Sequence, residues 1–288
     1  MKKRRVIITG GCGFLGRYIA EEALRRNFDV VIIDKHNTIK NNKIKFYKED
    51  ISRSNKIHKL IKKNDIVYHF AGISDINEAN KDPEKTFEIN TLSTIKLLKI
   101  CKRKKIKKII FASSIYVHSD IGGIYRITKK SSELFIETYA KQHNFKYTIV
   151  RFGSVYGPKQ SNKNNITNIV HNALMLKKLI YSGSKNSIRR FVYVTDVAKA
   201  SVNLVSKKYD NKVILITGKK INSINQVFNI VKKILKINSR PIYKNIKNNH
   251  YSKNPYSYKE MKEEKYIFNK FINLEKGITE VINYEKKK

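Results

Sequence analysis

The sequence predicts an α/β protein built on a doubly wound parallel sheet with a smaller C-terminal α/β lobe. First, an apolar run at residues 6–8 leads into a glycine-rich turn and then into an amphipathic helix pattern. Second, further short apolar runs follow, separated by helical patterns, as in parallel sheets. Third, the 288 residues suffice for one large domain or for a large domain with a smaller partner.

The turn after the first predicted strand carries glycines with the spacing G-x-x-G-x-x-G. In a strand-turn-helix unit, one glycine permits the tight turn, one lets the backbone approach a pyrophosphate, and one lets helix and strand pack closely. The helix N-terminus offers N–H groups and a positive dipole end to the phosphates. A dinucleotide cofactor is therefore predicted to contact Gly10, Gly13, Phe14, Leu15 and Gly16.

The second apolar run, at 30–33, ends in Asp34. A carboxylate at this position accepts both ribose hydroxyls of an adenosine and repels a 2′-phosphate. The sequence therefore predicts that the cofactor is NAD rather than NADP, a preference that the neighbouring Lys35 opposes.

The alternating pattern over 43–51 predicts a third strand, which ends in Asp50 and Ile51. At the carboxyl edge of the sheet these side chains could bracket an adenine, with Asp50 toward its amino group and Ile51 on its ring. The alternative is that Asp50 only caps the strand end. The local sequence leaves both interpretations open.

A fourth strand is predicted at 66–72, opening into a turn of small residues where the backbone at Ala71 approaches the cofactor. His69 lies inside the apolar run and is predicted to be a core histidine. A long helix is predicted over 84–101. Asn90, inside its apolar stripe, is either a buried ligand contact or an ordinary helix side chain.

The fifth predicted strand, 108–114, ends in Ser114, and a helix opens eleven residues later with Tyr125 and Lys129. Their i,i+4 spacing places the phenol and the ammonium on one helix face. A cation within about 4–6 Å favours an ionised phenol, so Lys129 is predicted to lower the pKa of Tyr125 and make it a usable base. The alternative is a solvated helix face.

Composition restricts the function classes. The formal net charge is +38, but lysine is spread through every segment beside abundant Asn and Ile, as in a compositionally biased genome. We therefore expect attraction of anionic substrates but no specific nucleic-acid partner. No apolar run approaches the roughly 20 residues that span a bilayer, and the two cysteines suit a reducing compartment. A cytoplasmic protein without membrane or metal partners is expected.

These motifs together resemble those of the extended short-chain dehydrogenase/reductases, and among them the nucleotide-sugar epimerases and dehydratases. The resemblance covers nearly the whole chain. It rests on the segments above, on Asn90 with Thr94, on R-F-G-S-V-Y-G-P at 151–158, and on R-R-F-V-Y-V-T-D-V-A at 189–198. It implies a Rossmann domain that binds NAD.

The resemblance also implies functional residues and a substrate class. Ser114, Tyr125 and Lys129 match the catalytic trio, and Lys129 also binds the nicotinamide ribose. The substrate would be a nucleotide-sugar, for whose diphosphate Arg189 is the candidate because a guanidinium matches phosphate oxygens bidentately; a solvated charge is the alternative. The remaining site residues that we expect are Phe152 for the cofactor and Ser74 and Ser154 for the substrate.

A domain division follows from the same pattern. Residues 1–155 are predicted to form the NAD-binding domain, with 191–213 returning to it, while 156–190 and 214–288 form the substrate-binding lobe. Asp196 is expected to be the N-cap of a helix over 197–205. The helices at 84–101 and 125–142 resemble those that form the family's dimer interface, which implies a homodimer.

Departures from the family's pattern reduce the number of reactions that the protein is expected to catalyse. Ile115 and Tyr116 follow Ser114, where sugar dehydratases carry Asp-Glu and decarboxylases usually carry a Glu at the second position. Ser154 stands where Asn usually holds the diphosphate, and the segment between Ser114 and Tyr125 is shorter than usual.

The expected function is an NAD-dependent isomerase, an epimerase that acts on a nucleotide-sugar through a transient keto intermediate, in cell-surface polysaccharide biosynthesis. The alternatives within the family are a dehydratase, a decarboxylase or a keto-sugar reductase. The non-enzyme alternative is an NAD-binding regulatory protein.

Overall fold

The computed structural model describes residues 3–119, 121–161, 165–244 and 263–288. Its strands are β1 (Arg5–Thr9), β2 (Asp29–Asp34), β3 (Lys45–Lys48), β4 (Ile66–His69), β5 (Lys108–Ser114), β6 (Lys146–Phe152), β7 (Ser154–Tyr156), β8 (Ile180–Tyr181), β9 (Ile188–Arg189), β10 (Phe191–Tyr193), β11 (Lys212–Ile216), β12 (Asn222–Ser223), β13 (Ile242–Tyr243) and β14 (Glu264–Lys265). Its α-helices are α1 (Phe14–Arg25), α2 (Ile57–Leu60), α3 (Ile76–Lys81), α4 (Pro83–Phe87), α5 (Ser93–Lys104), α6 (Gly123–His143), α7 (Asn165–Leu176), α8 (Val194–Asn203), α9 (Ile224–Leu235) and α10 (Leu274–Glu285).

Eight strands form one sheet in the order β14-β11-β6-β5-β4-β1-β2-β3. The first strand, β1, lies inside this sheet and pairs in parallel with both β2 and β4. Later strands are added on both sides of it. Because β1, β2 and β4 are apolar on both faces, helices must cover both sides of the sheet. The predicted doubly wound parallel sheet is confirmed.

The chain divides into two compact units. The first contains the described residues of Met1–Phe152, Ala198–Leu215 and Glu260–Lys265, and the second those of Gly153–Val197, Ile216–Lys259 and Tyr266–Lys288. Each has its own apolar core: in the first, strands such as β1 and β5 pack on α5 and α6; in the second, α7, α9 and α10 pack together. A substrate-binding role for the second unit stays a prediction.

The predicted helix over 84–101 is not one regular α-helix. It consists of α4, a π-helical segment at Glu88–Leu92, and α5. A π segment carries one residue more per turn than the α-helix on either side, and such insertions often occur at functional sites. The apolar periodicity predicts a helix over this range, but it does not distinguish one π-helical turn from the α-helical turns around it.

The expectation that Asp196 is a helix N-cap is wrong. Helix α8 begins directly after β10, at Val194, so Asp196 lies inside its first turn. The Asp196 carboxylate accepts a hydrogen bond from the backbone N–H of Ile272 at 2.7 Å. A carboxylate in the first turn is favoured by the helix dipole, and here it also fixes a loop of the second unit.

Among the described residues, no helix is long and apolar enough to cross a membrane, and no group of three or more His, Cys, Asp and Glu side chains could hold a metal ion.

Candidate active site

Two glycines of the first turn are required by close backbone approach. Gly10 has φ of +68°, and a Cβ there would lie 2.5 Å from the backbone nitrogen of Ala71. A Cβ on Gly16 would lie 2.4 Å from the carbonyl oxygen of Gly10. The turn therefore packs tightly against the start of α1, which the glycine spacing predicted, and also against the turn after β4, which it did not predict.

The N-terminus of α1 carries no side-chain cap. Its N-cap residue is the exposed Gly13, and no side chain among the described residues accepts a hydrogen bond from the first turn as a cap. Phe14 and Leu15 open the helix. Uncapped N–H groups and a positive dipole end at a glycine turn fit the pyrophosphate of a dinucleotide.

Asp34 lies at the carboxyl end of β2, beside this turn. One carboxylate oxygen accepts from the backbone N–H of Cys12 at 2.9 Å, and the other accepts from the backbone N–H groups of Lys35 at 2.7 Å and His36 at 3.4 Å. A carboxylate has about four acceptor positions, so a ribose hydroxyl can still bind to it. The geometry of Asp34 therefore fits the adenosine ribose of NAD.

Asp50 and Ile51 follow β3 in a turn. The Asp50 carboxylate accepts from the backbone N–H of Ser52 at 2.9 Å and from its hydroxyl at 2.8 Å. Burial acts to raise the pKa of Asp50, but these hydrogen bonds and the charges of Lys35 and Arg53 lower it below its ordinary value. Ile51 packs against the core. These contacts support the capping interpretation, while contact with an adenine stays a prediction.

His69 is the predicted core histidine, and this is confirmed. It is fully buried, with Nδ1 2.8 Å from the Thr9 hydroxyl and Nε2 2.9 Å from the Thr94 hydroxyl. Thr94 donates to the carbonyl oxygen of Asn90 at 2.6 Å, so it must accept from His69 Nε2–H. Burial, with a contribution from Lys129, lowers the pKa of His69 to about 3. His69 is therefore neutral at physiological pH.

Asn90 occupies the π-helical segment and is buried. Its amide oxygen accepts from the backbone N–H of Ile73 at 2.7 Å, and its amide nitrogen donates to the Ile73 carbonyl at 3.0 Å and to the Thr128 hydroxyl at 3.2 Å. Asn90 thus joins the turn after β4 to α6. Ala71, in the same turn, donates its N–H to Thr9 at 3.4 Å. Direct contact of Asn90 and Ala71 with the cofactor stays a prediction.

The structure brings Ser114, Tyr125 and Lys129 together. Ser114 ends β5, Tyr125 lies in the first turn of α6, and Lys129 follows one turn later. The Tyr125 hydroxyl lies within reach of a hydrogen bond from the Ser114 side chain. The Lys129 ammonium donates to the carbonyl oxygen of Ala112 at 2.9 Å and lies 6.0 Å from the centre of the Tyr125 ring. All three side chains are buried.

The expectation that Lys129 lowers the pKa of Tyr125 is wrong for the protein alone. Burial raises the pKa of Tyr125 to about 12, opposed by the hydrogen bond from Ser114. Burial also lowers the pKa of Lys129 to about 8, opposed by the charge of Glu133. Desolvation disfavours both ionised forms, and it outweighs the attraction between them because the ammonium is directed at the Ala112 carbonyl.

The other predicted residues have different environments. Ser74 is exposed in the turn after β4, and Phe152 is buried with its ring 5.8 Å from that of Phe70. Ser154, in β7, pairs with Phe191, and Arg189, in β9, donates to the Ile188 carbonyl at 2.8 Å. Arg189 is only 2% exposed, so the alternative of a solvated charge is wrong. The binding roles of these four residues stay predictions.

Sequence reasoning missed a buried ion cluster between α6 and strands β5 and β6. Glu133 accepts from Arg151 Nη2 at 2.7 Å and Nε at 2.9 Å, and from the Ser113 hydroxyl at 2.6 Å. Arg151 Nη1 also donates to Glu263 at 2.8 Å, and His118 lies beside both. The cluster fixes α6 to β5 and β6. The one available indication is Glu133 itself, a carboxylate four residues after Lys129 and so on the same face of the helix.

Comparison with known proteins defines the class. The model of the NAD dependent epimerase/dehydratase family matches residues 6–218, and the chain belongs to this family. A putative UDP-glucose 4-epimerase of Methanocaldococcus jannaschii is 30% identical over 303 residues, covering 98% of both chains. A UDP-N-acetyl-alpha-D-glucosaminuronate decarboxylase of Bacillus cytotoxicus is 28% identical over 78% of both.

The fold is shared with solved structures. The crystal structure of UDP-glucuronic acid 4-epimerase from Bacillus cereus in complex with NAD superimposes with a TM-score of 0.82 at 24% identity, covering 98% of this chain and 99% of that one. The predicted family, the fold class, the assignment to enzymes and NAD as the cofactor are confirmed.

Proposed function

We propose that this protein is an NAD-dependent epimerase that inverts one carbon of a nucleotide-sugar. The observation that carries the proposal is the buried group of Ser114, Tyr125 and Lys129 in the same unit as a dinucleotide turn, with Ile115 and Tyr116 directly after Ser114. Both relatives compared above act, by their names, on UDP-sugars. A nucleotide-sugar is therefore the proposed substrate.

The residues of the candidate site are suited to a reaction in which the sugar loses a proton and a hydride and then regains both. The Tyr125 phenolate takes the proton of a sugar hydroxyl while the C–H hydrogen leaves as a hydride, so that a ketone forms; the reverse step delivers the hydride to the other face and returns the proton. NAD, when bound, accepts and returns the hydride. Ser114 would hydrogen-bond the reacting oxygen, and Lys129 would bind the nicotinamide ribose.

Elimination and decarboxylation are disfavoured by the residues after Ser114. Elimination needs an acid to protonate the leaving hydroxyl and a base to take the neighbouring proton. Ile115 is buried and apolar, and Tyr116 packs with Tyr125 and Ile76. Neither position offers a carboxylate, so the sugar should keep its mass. A keto-sugar reductase is the remaining alternative, and it would consume NADH stoichiometrically.

Substrate contact by the second unit is part of the proposal. Arg189 carries a buried guanidinium in β9, and Ser154 begins β7. Residues 156–190 and 214–288 would supply the lobe that binds the nucleotide-sugar. Arg189→Lys keeps the charge but removes the bidentate donor pair. We expect this variant to raise KM for the nucleotide-sugar while the Kd for NAD stays unchanged.

We also propose a homodimer formed through α4, α5 and α6. Large apolar side chains are exposed on α4, on α6 and on the π-helical segment that leads into α5, which is unusual for a free surface. They are Phe87, Leu92, Ile127, Leu134 and Phe135. The substitutions Ile127→Asp and Leu134→Asp together should convert a dimer to a monomer in light scattering, whereas Ile267→Asp, at an isoleucine 84% exposed outside these helices, should not.

The cellular setting is proposed from chemistry. Both cysteines are unpaired thiols and buried, which suits a reducing cytoplasm. Nucleotide-sugars are donors for glycan assembly, so a role in cell-surface polysaccharide biosynthesis is proposed. Cell fractionation tests the first statement, and loss of a surface sugar after deletion tests the second.

The experiment that tests the function is incubation with a panel of nucleotide-sugars, with products identified by NMR. An epimer in equilibrium with one substrate, without net NADH accumulation, is expected. If no member of the panel is converted while NAD binds, the protein is instead an NAD-binding regulatory protein.

A further inference from the structure

The N-terminus of the catalytic helix α6 is capped from another helix. Its own N-cap residue is Gly122, which has φ of +117° and provides no side chain. The amide oxygen of Asn80, in α3, accepts the backbone N–H of Ile124 at 2.9 Å. Asn80 and Ile124 are 44 positions apart in the sequence. Since the first N–H groups of a helix lack intrahelical partners, this bond satisfies one of them.

The backbone at the start of α6 leaves room for the amide group of Asn80. Gly123 has φ of +49°, and a Cβ there would lie 2.2 Å from the Asn80 amide oxygen. Any other residue at 123 would therefore meet both backbone strain and the capping oxygen. Gly122 and Gly123 lie within the short segment between Ser114 and Tyr125. Two consecutive glycines with positive φ let this segment turn sharply into the helix.

Helix α3 also contacts Tyr125 directly. Tyr125 packs in an apolar cluster with Ile76 and Ala79, both from α3. The hydroxyl of Thr86 donates to the Ala79 carbonyl at 3.1 Å, and the Asp75 carboxylate caps α3 by accepting from the backbone N–H of Glu78 at 2.9 Å. The short helix is thus anchored at both ends, and it contacts Tyr125 through its apolar face and Ile124 through the Asn80 cap.

We propose that Asn80 is a positioning residue for the reaction: by capping α6 at Ile124, it holds the Tyr125 phenol against the Ser114 hydroxyl. The proposal rests on the proposed function only in taking Tyr125 as the base. Without the cap, the first turn of α6 frays, and Tyr125 is the residue directly after Ile124. A misplaced base lowers the rate of chemistry more than it lowers substrate binding.

The test compares Asn80→Ala with Asn80→Asp and with Asn273→Ala. Aspartate keeps the accepting oxygen and adds a charge that the helix N-terminus favours. Asn273 is a matched control because it is an exposed asparagine that caps α10. Its amide oxygen accepts from the backbone N–H of Lys276 at 2.8 Å. For Asn80→Ala we expect kcat to fall about fivefold, the scale of one lost helix cap, with KM nearly unchanged. Asn80→Asp should restore kcat, and Asn273→Ala should leave it unchanged.

A readout independent of activity is the NMR resonance of the Tyr125 ring in protein with ¹³C-labelled tyrosine, assigned by its loss in Tyr125→Phe. This resonance should shift in Asn80→Ala, recover in Asn80→Asp and stay fixed in Asn273→Ala. Amide hydrogen exchange at Ile124 should accelerate in Asn80→Ala. A shift of the Tyr125 resonance with no active substrate in the panel would support the positioning role and reject the proposed function.

Two results would overturn the proposal. One is an unmoved Tyr125 resonance and unchanged kcat in Asn80→Ala, which would leave Asn80 as a stabilising cap only. The other concerns Gly123→Ala, whose Cβ should displace the Asn80 oxygen. If both variants act on the same bond, the double variant should be no less active than Gly123→Ala alone; additive losses would contradict the shared mechanism.

Discussion

Two helix N-termini of the first unit differ in whether a side chain caps them. Helix α1 begins after an exposed glycine and has no side-chain cap among the described residues. Helix α6 also begins after a glycine, but a side chain from α3 caps it. The first end is left available for an anionic ligand, whereas the second is closed by the protein. In the proposed function, the α1 end would bind the phosphates of the cofactor, and the α6 end would hold Tyr125 in place.

The largest expected effect comes from the α6 end. Tyr125→Phe removes the phenolic hydroxyl without changing the ring, so kcat should fall about 100-fold or more, the usual scale for a positioned acid/base. The affinity for NAD should stay nearly unchanged, as measured by calorimetry. Tyr139→Phe makes the same chemical change on α6, at a ring packed against the core and His143, and should keep full activity. Full activity in Tyr125→Phe would contradict the assignment of the base.

The second effect concerns the ligand at the α1 end. With Asp34 beside the turn, NAD should bind at least tenfold more tightly than NADP, a difference of about 1.4 kcal/mol in binding free energy. Asp34→Ser should reduce that ratio, because it removes the charge that repels a 2′-phosphate. Asp29→Ser, at the other end of β2, where Asp29 pairs with Arg5 and Lys45, should retain it. Equal affinities in the unaltered protein would count against the role of Asp34.

The third effect is a pH dependence of stability from Lys129. Burial lowers its pKa from 10.5 to about 8, so between those values the unfolded chain holds a proton that the folded chain lacks. Stability from this group therefore rises with pH across that window. The gain in the free energy of unfolding of Lys129→Met over wild type should therefore be larger at pH 7 than at pH 10. The two gains should differ by about 1–3 kcal/mol.

Denaturant titrations at both pH values measure this difference. The control is Lys102→Met, the same substitution at the exposed end of α5. The same difference between variant and wild type at both pH values would contradict a buried, partly destabilised ammonium at position 129.

The smallest effect concerns the dispersed lysines rather than either helix end. Weak binding to duplex DNA at low salt should vanish near physiological ionic strength, because scattered charges are screened individually. Fluorescence anisotropy across a salt series measures it. Sequence-selective binding that persists at physiological salt would argue for nucleic acid as the main ligand.

The α1 end could be predicted from sequence because its parts are local. The glycine spacing, the preceding strand and Asp34 lie within one strand-helix-strand unit, where periodicity and spacing fix the geometry. The same holds for Ser114, Tyr125 and Lys129, which lie within sixteen consecutive residues, 114–129. Their proximity follows from a strand end that leads into the next helix.

The Asn80 cap of α6 and the buried ion cluster could not be predicted because their contacts join distant parts of the chain. Asn80 caps a helix 44 residues away, and Arg151 pairs with Glu263 at a separation of 112 residues. The pKa of Tyr125 was predicted in the wrong direction for a related reason. Helical spacing reports the proximity of Lys129, but not the burial that raises the pKa or the Ala112 carbonyl that binds the ammonium.

The most direct test of the central claim is to run the reaction on an active nucleotide-sugar in D₂O and to analyse the product by mass spectrometry and NMR. If one hydride leaves and returns by way of NAD, the product has the mass of the substrate, one inverted stereocentre and no carbon-bound deuterium. A product lighter by water or carbon dioxide, or one with deuterium on carbon, would show that the protein catalyses a different reaction.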